Sequence, residues 1–190
     1  TLVSQLTVGE SYNRIYDPTN VDADENGYAL LVVGQYTTYA NVDGKGNVDG
    51  FGTVLETVTE GTSRRKDNNG EWMATGTYET LATNNIYGTL VSQLTVGESY
   101  NRIYDPTNVE ADENGYALLV VGQYTTYANV DGKGNVDGFG TVLETVTEGT
   151  SRRKDNDGEW MATGTYETFA TNNIYGTLVS QLTVGESYNR

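Results

Sequence analysis

The sequence contains no cysteine and no histidine, and only 2 proline and 2 methionine residues. Without cysteine there are no disulfide bonds and no thiolate nucleophile, and without histidine there is no His-based catalytic triad and no zinc site of the ordinary kind. Most enzyme classes depend on one of these groups. We therefore expect a protein that is not an enzyme and has no catalytic residues.

Basic residues are also scarce: 11 Lys and Arg stand against 26 Asp and Glu, which gives a net charge of −15. Nucleic acids and anionic membrane surfaces need a basic partner, so neither is expected to bind. No apolar run approaches the roughly 18 residues of a membrane span. Hydrophobic residues make up 36% of the chain, and 15 tyrosines supply much of its apolar surface, so we expect a thin core.

A fourteen-residue segment, TLVSQLTVGESYNR, occurs three times. The copies start at Thr1, Thr89 and Thr177, so the chain is a tandem array with a period of 88 residues. Three positions distinguish the two full copies: Asp22 and Glu110, Asn69 and Asp157, and Leu81 and Phe169. Copies this similar must share one fold. We predict a β repeat at residues 1–88 and a second β repeat at residues 89–176.

Residues 177–190 begin a third copy. One interpretation is a longer array that was cut at an arbitrary phase. The other is a strand that completes the repeat before it. In that case the segment is swapped or donated onto an open sheet edge, as in β-augmentation. The sequence alone leaves both interpretations open.

Turn sequences divide each repeat into long stretches. Asn-Gly and Asp-Gly steps supply the positive φ that tight hairpin turns need. In the first repeat the turn-forming residues lie at 24–27, 43–50, 67–70 and 83–85. The stretches between them are rich in Val, Thr, Tyr, Ile and Leu and show no helical apolar stripe. We therefore predict an all-β protein of tandem antiparallel β-sandwich or small β-barrel repeats.

The alternation of apolar and polar residues predicts which face of each strand points to the core. Residues 71–81 alternate so that Trp72 and Tyr78 share one face, which we expect to face the core. Residues 28–39 are apolar on both faces, which predicts a central strand covered on both sides. Such stretches exceed the usual strand length, so we expect about six to eight short strands in each repeat. The breaks are expected at Gly9, Gly34 and Gly61.

Two oxygen-rich segments in each repeat are candidate Ca²⁺ sites, because oxygens at alternate positions can converge on the ion. In the first repeat the candidate ligands are Asp22, Asp24, Asn26, Asp43, Asn47 and Asp49. In the second they are Glu110, Asp112, Asn114, Asp131, Asn135 and Asp137. A calcium loop of this kind would end in Glu at its twelfth position, where Val33 stands. The alternative is that both segments are solvated turns.

Aromatic residues suggest a second kind of site. A platform on which sugars stack could be formed by Tyr12, Tyr16, Tyr36, Tyr39 and Trp72. The alternative is a set of cross-strand aromatic pairs that stabilise the sheet. A glycosidase would instead need two carboxylates about 5–10 Å apart. Pairs such as Glu56 and Glu60 lie about 13 Å apart along a strand, so a solvated acidic face is the simpler interpretation.

Near-identical copies, the absence of cysteine and the acidic Asp/Asn/Gly turns together resemble the repetitive segment of a bacterial or archaeal extracellular adhesin or filament protein. The resemblance implies a location outside the cell or on its surface. Its partners would be further copies of the repeat, in the same chain or head-to-tail between chains. We thus expect a structural stalk or filament segment that assembles by strand exchange between units. The alternative is a multivalent carbohydrate-binding module with a Tyr/Trp face.

Overall fold

The fold is all-β, as predicted. The computed structural model describes residues 1–67, 70–155 and 158–188, and strands are the only regular secondary structure in this part of the chain. The strands are β1 (Gln5–Tyr16), β2 (Tyr28–Ala40), β3 (Asn47–Val48), β4 (Val54–Lys66), β5 (Trp72–Asn84), β6 (Leu90–Tyr104), β7 (Tyr116–Ala128), β8 (Asn135–Val136), β9 (Val142–Lys154), β10 (Trp160–Asn172) and β11 (Leu178–Ser187).

All the strands belong to one antiparallel sheet, in the order β1-β2-β4-β5-β6-β7-β9-β10-β11. The short strands β3 and β8 pair with β4 and β9 and continue the lines of β2 and β7. The sheet is open, with β1 and β11 at its two ends. The predicted sandwich or barrel is therefore not what the described residues form.

The sheet has almost no core, because each strand contacts mainly its hydrogen-bonded neighbours. The buried apolar residues of the described part are Ala29, Ala40, Ala117, Ala128 and Val146, and none of its large side chains is fully buried. Among the described residues no second layer covers β2, so the prediction of a strand covered on both sides is wrong. Stability must come from contacts between side chains on adjacent strands.

The strands run straight through the glycines at which breaks were expected. β1, β2 and β4 are 12 to 13 residues long and contain Gly9, Gly34 and Gly61 in their interiors. A mid-strand glycine usually weakens a strand, but it also allows close approach of another group. Here a tyrosine ring on the next strand occupies that space at Gly9 and Gly61, which keeps the strands continuous.

Several hairpin turns share one design, in which an Asp or Asn side chain caps the turn and a glycine follows three residues later. The Asp49 carboxylate accepts the backbone N–H groups of Phe51 and Thr53, and Gly52 has a φ of +93°. Asp24 and Asn85 cap their turns in the same way. Of the predicted turn at 67–70, positions 68 and 69 lie outside the described residues.

At one end the sheet divides into separate hairpins. The pairing of β2 with β4 stops at Gly34 opposite Ser63, although β4 and β5 remain paired as far as Trp72. A β-bulge adds Thr75 to β5 just beyond this point. The extra residue reverses the alternation, so Trp72 and Tyr78 lie on opposite faces. The prediction that they share a core-facing side is wrong for this reason.

The sheet continues through the boundary between the repeats. β6 pairs with β5 of the first repeat and with β7 of the second. At the far end, β11 pairs with β10 of the same chain. The segment TLVSQLTVGESYNR thus pairs with the last strand of the preceding repeat in both copies that follow one. The last two residues of the third copy, 189 and 190, lie outside the described residues.

Candidate functional site

One face of the sheet carries a row of tyrosines that alternate with glycines. The strand register places these residues directly opposite one another across nine strands. The tyrosine row consists, in spatial order, of Gly9, Tyr36, Gly61, Tyr78, Gly97, Tyr124, Gly149, Tyr166 and Gly185. Successive tyrosines are two strands apart, which corresponds to about 10 Å.

Each ring of the tyrosine row lies over a glycine of the preceding strand. A Cβ atom at Gly9 would lie 2.1 Å from Cζ of Tyr36, and one at Gly61 would lie 2.2 Å from Cζ of Tyr78. The same contact recurs at Gly97 and Gly149. The rings therefore all lean in one direction and keep a regular spacing. Tyr36 and Tyr166 are each 38% exposed, and Tyr78 and Tyr124 are half-buried, so every ring keeps some surface in contact with solvent.

Two rows of hydroxyl groups flank the tyrosine row. The threonine row has the same residue on all nine strands: Thr7, Thr38, Thr59, Thr80, Thr95, Thr126, Thr147, Thr168 and Thr183. Its members pair by hydrogen bonds, such as the 2.8 Å contact between the hydroxyls of Thr38 and Thr59. The serine row alternates serine with glycine: Ser11, Gly34, Ser63, Gly76, Ser99, Gly122, Ser151, Gly164 and Ser187.

These three rows contain no charged residue, and we call them the neutral face. The opposite side, reached by the residues between them in sequence, is the acidic face. There Glu60 stands opposite Glu79, and Glu148 stands opposite Glu167. Two open grooves cross the acidic face, one of about 810 Å³ between β1 and β6 and one of about 690 Å³ between β6 and β11. Strand alternation thus separates charged from uncharged side chains.

Lysines moderate the repulsion on the acidic face. Lys45 donates a hydrogen bond to the Glu60 carboxylate, and its ammonium lies 4.6 Å from the centre of the Tyr39 ring. This hydrogen bond raises the pKa of Lys45. Lys133 and Glu148 repeat the arrangement. Sequence reasoning considered carboxylates along one strand and missed these cross-strand pairs; the Glu60 side chain is 40% exposed, as expected for a solvated acidic face.

The candidate calcium ligands take part in the turns themselves. Asp24 accepts two backbone N–H groups and pairs with Arg14, and the hydrogen bond from Arg14 is the main reason that the pKa of Asp24 is lowered. The pKa of Asp49 is lowered chiefly by the backbone N–H of Thr53. Asp112 and Asp137 repeat these roles.

The remaining candidate ligands are spread over neighbouring loop and strand positions: Asp22, Asn26, Asp43, Asn47, Glu110, Asn114, Asp131 and Asn135. Within residues 1–67, 70–155 and 158–188, no three or more acidic side chains come together as a metal site. Calcium binding stays a prediction.

The five candidate sugar-stacking residues are divided between the two faces. Tyr36 belongs to the tyrosine row, whereas Tyr39, three residues along β2, lies on the acidic face. Tyr12 also lies there, since its hydroxyl bonds the Glu10 carboxylate. The guanidinium of Arg64 covers Trp72, with 4.6 Å to the ring centre. Tyr16 packs edge-on against Tyr28, with ring centres 5.4 Å apart.

The sequence analysis did not include Tyr78, Tyr124 and Tyr166 among the candidate sugar-stacking residues, although a pattern in the sequence indicates them. The pattern Gly-x-Tyr-x-Thr occurs at 34–38 and again at 76–80 within one repeat. The pattern Thr-x-Gly-x-Ser occurs at 7–11, and at 59–63. A shorter internal repeat of two strands therefore lies within each 88-residue unit and builds the alternation of glycine and tyrosine.

Comparison with known proteins gives no family assignment: no family model, curated protein or solved structure matches this chain. Within the described part of the chain, no helix has the length and hydrophobicity needed to cross a bilayer.

Proposed function

We propose that this protein is a structural repeat protein, a stalk or filament segment whose length is set by its number of repeats. The observation that supports this most directly is the continuity of the sheet across the repeat boundary, where β6 pairs on both sides. Each repeat adds four strands to the main path of the sheet. At about 4.8 Å per strand, one repeat extends the sheet by about 19 Å.

Growth of this kind needs no new core. Each strand contacts its neighbours and little else, as in repeat proteins whose stability is a sum of local and nearest-neighbour terms. The threonine and tyrosine rows recur on every strand or every second strand, so an added repeat meets the same side chains at its junction. The partners of one repeat are therefore further copies of it.

Strand exchange is the proposed route of assembly between chains. In one chain β11 occupies the edge of β10, and residues 2–11, which include the first part of β1, have the same sequence as β11. A β1 strand from another chain can take that edge with identical cross-strand partners. The resemblance in composition and repeat style supports a role at the cell surface or outside the cell.

The length rule can be tested by small-angle X-ray scattering on proteins with one, two and four repeats, each closed by a copy of 177–190. The width of the sheet across its strands should rise by about 19 Å per repeat, and the maximum dimension should approach this increment once that width exceeds the length of the strands. A proline in place of Thr95 provides the control, because it disrupts the junction strand β6. A dimension that grows only as the cube root of mass would contradict an extended sheet.

A further inference from the structure

We propose that the neutral face binds a single chain of an uncharged β-1,4-linked glycan, which lies along the tyrosine row and crosses the strands. This binding role is separate from the proposed role as a stalk or filament segment. It depends on the side chains of one face and not on the length of the sheet. The relevant side chains are Tyr36, Tyr78, Tyr124 and Tyr166 with the two hydroxyl rows beside them.

The spacing of the rings favours this class of ligand. Equivalent ring positions recur every two strands, or about 10 Å. In an extended β-1,4-linked glycan, alternate sugars present the same face, and their separation is one disaccharide, a length close to this spacing. Four rings then contact every second sugar of a chain of about seven sugars.

The chemistry of the three rows matches a pyranose chain. The exposed side of each tyrosine ring offers a flat apolar surface for the C–H face of a sugar, since aromatic rings combine apolar area with few rotatable bonds. The threonine and serine rows place hydroxyl groups on both sides of the rings. A hydroxyl donates one hydrogen bond and accepts two, so a threonine such as Thr38 that bonds Thr59 retains capacity for a sugar hydroxyl.

Charge complementarity identifies the glycan as an uncharged one. The neutral face has no charged residue in its three rows, whereas Glu60, Glu79 and their equivalents occupy the other side. The whole chain carries a net charge of −15, which repels anionic polysaccharides at long range. A neutral polymer meets no such repulsion and loses no charge solvation on binding.

The geometry of a sheet selects a flexible chain over a crystal surface. Adjacent strands in sheets rotate by about 20–25°, so rings two strands apart turn by about 40–50° around the row. A single glycan chain can follow this rotation, but the flat face of crystalline cellulose or chitin cannot. Soluble oligosaccharides are therefore the expected ligands.

Isothermal titration calorimetry tests the proposal with the complete chain. The probes are the di-, tetra- and hexasaccharides of the cello and chito series, which distinguish a glucan from an N-acetylglucosamine polymer. Affinity should rise from disaccharide to hexasaccharide in at least one series. Maltohexaose, with the same sugar joined by α-1,4 bonds, should not bind. Absence of binding by both hexasaccharides at millimolar concentration, or equal binding of maltohexaose, would overturn the proposal.

Variants on strand β7 locate the site, because Tyr124 and Tyr127 lie on the same strand but on opposite faces. Tyr124→Leu covers Gly97 without a flat ring and should weaken hexasaccharide binding by about tenfold, while Tyr124→Phe should bind normally. Tyr127→Leu, the matched control, should have no effect. Equal weakening by Tyr124→Leu and Tyr127→Leu would refute the assignment to the neutral face.

Folding of the variants is checked by melting temperature before titration. If Tyr124→Leu does not fold, ring resonances of the unmodified protein give the same discrimination by NMR. Hexasaccharide should shift the resonances of Tyr78 and Tyr124 and leave those of Tyr39 and Tyr127 unchanged. Shifts confined to Tyr39 and Tyr127 would contradict the proposal.

Discussion

The ring of Tyr78 lies over Gly61 on the neighbouring strand, with Cζ 2.2 Å from the place where a Cβ atom would stand. Aromatic residues are known to compensate for glycines in sheets by covering the exposed backbone. In this single-layer sheet the ring also replaces the second layer that a sandwich would supply. The same contact at Gly9, Gly97 and Gly149 makes it a principal packing interaction of the fold.

Substitution of Gly61 by alanine should destabilise the sheet. The methyl group would overlap the Tyr78 ring, and such overpacking typically costs about 1–3 kcal/mol. Gly50→Ala is the matched control, because Gly50 has no atom within 4 Å of its Cβ position and no positive φ. Urea unfolding measures both free energies. Equal effects of the two substitutions would show that the ring does not fill this space.

The capped turns make a second prediction. Asp49→Ala removes the acceptor for the N–H groups of Phe51 and Thr53, and should lower the melting temperature because both groups lose their partner. Asp49→Asn should be nearly neutral, since Asn85 already performs this role in another turn. Thermal melting of the two variants against the parent distinguishes them. A loss with Asn as large as with Ala would indicate that the negative charge, and not the side-chain acceptor, stabilises the turn.

The junctions between hairpins should depend on pH. The hydrogen bond from Lys154 is the main reason that the pKa of Asp105 lies below its ordinary 3.8. A lowered folded-state pKa means that the unfolded chain takes up protons first as pH falls. The contribution is therefore present above the ordinary value and is lost as pH falls through the folded-state pKa.

Melting temperatures of Asp105→Asn and of the parent between pH 7 and pH 2 test this linkage. The variant should be less stable at neutral pH, and the difference should shrink as the pH falls below 3.8. Asp22→Asn, at an exposed side chain, controls for the loss of one negative charge. A difference that does not change with pH would contradict the role of the Asp105 carboxylate.

Local chemistry made the strands and turns predictable. The sequence does not show how neighbouring strands are paired in register, so the tyrosine row and the two faces could not be predicted. Asp24 and Gly27 mark their turn because Asx capping and positive φ are properties of a few adjacent residues. Which face a residue occupies depends on the register between strands. The single bulge at Thr75 places Trp72 and Tyr78 on opposite faces of the sheet. From the sequence alone Gly61 indicates a break in the strand. The structure shows that the Tyr78 ring covers this glycine and that β4 continues through it.

Deletion of residues 177–190 should convert the chain into a self-associating one. Without β11, the edge of β10 presents unpaired backbone groups, and such edges recruit other strands. The β1 strand of a second molecule fits this edge with Thr7 opposite Thr168 and Gly9 opposite Tyr166, as β11 does with Thr183 and Gly185. We expect a lower melting temperature in dilute solution and head-to-tail oligomers at higher concentration.

Analytical ultracentrifugation of the shortened chain measures this association, and a synthetic peptide of residues 177–190 provides the control. The peptide has the sequence of the missing strand, so an excess of it should occupy the β10 edge, raise the melting temperature and dissociate the oligomers. A chain of residues 1–176 that melts like the parent, stays monomeric at high concentration and ignores the peptide would show that β11 is not an integral strand of the sheet.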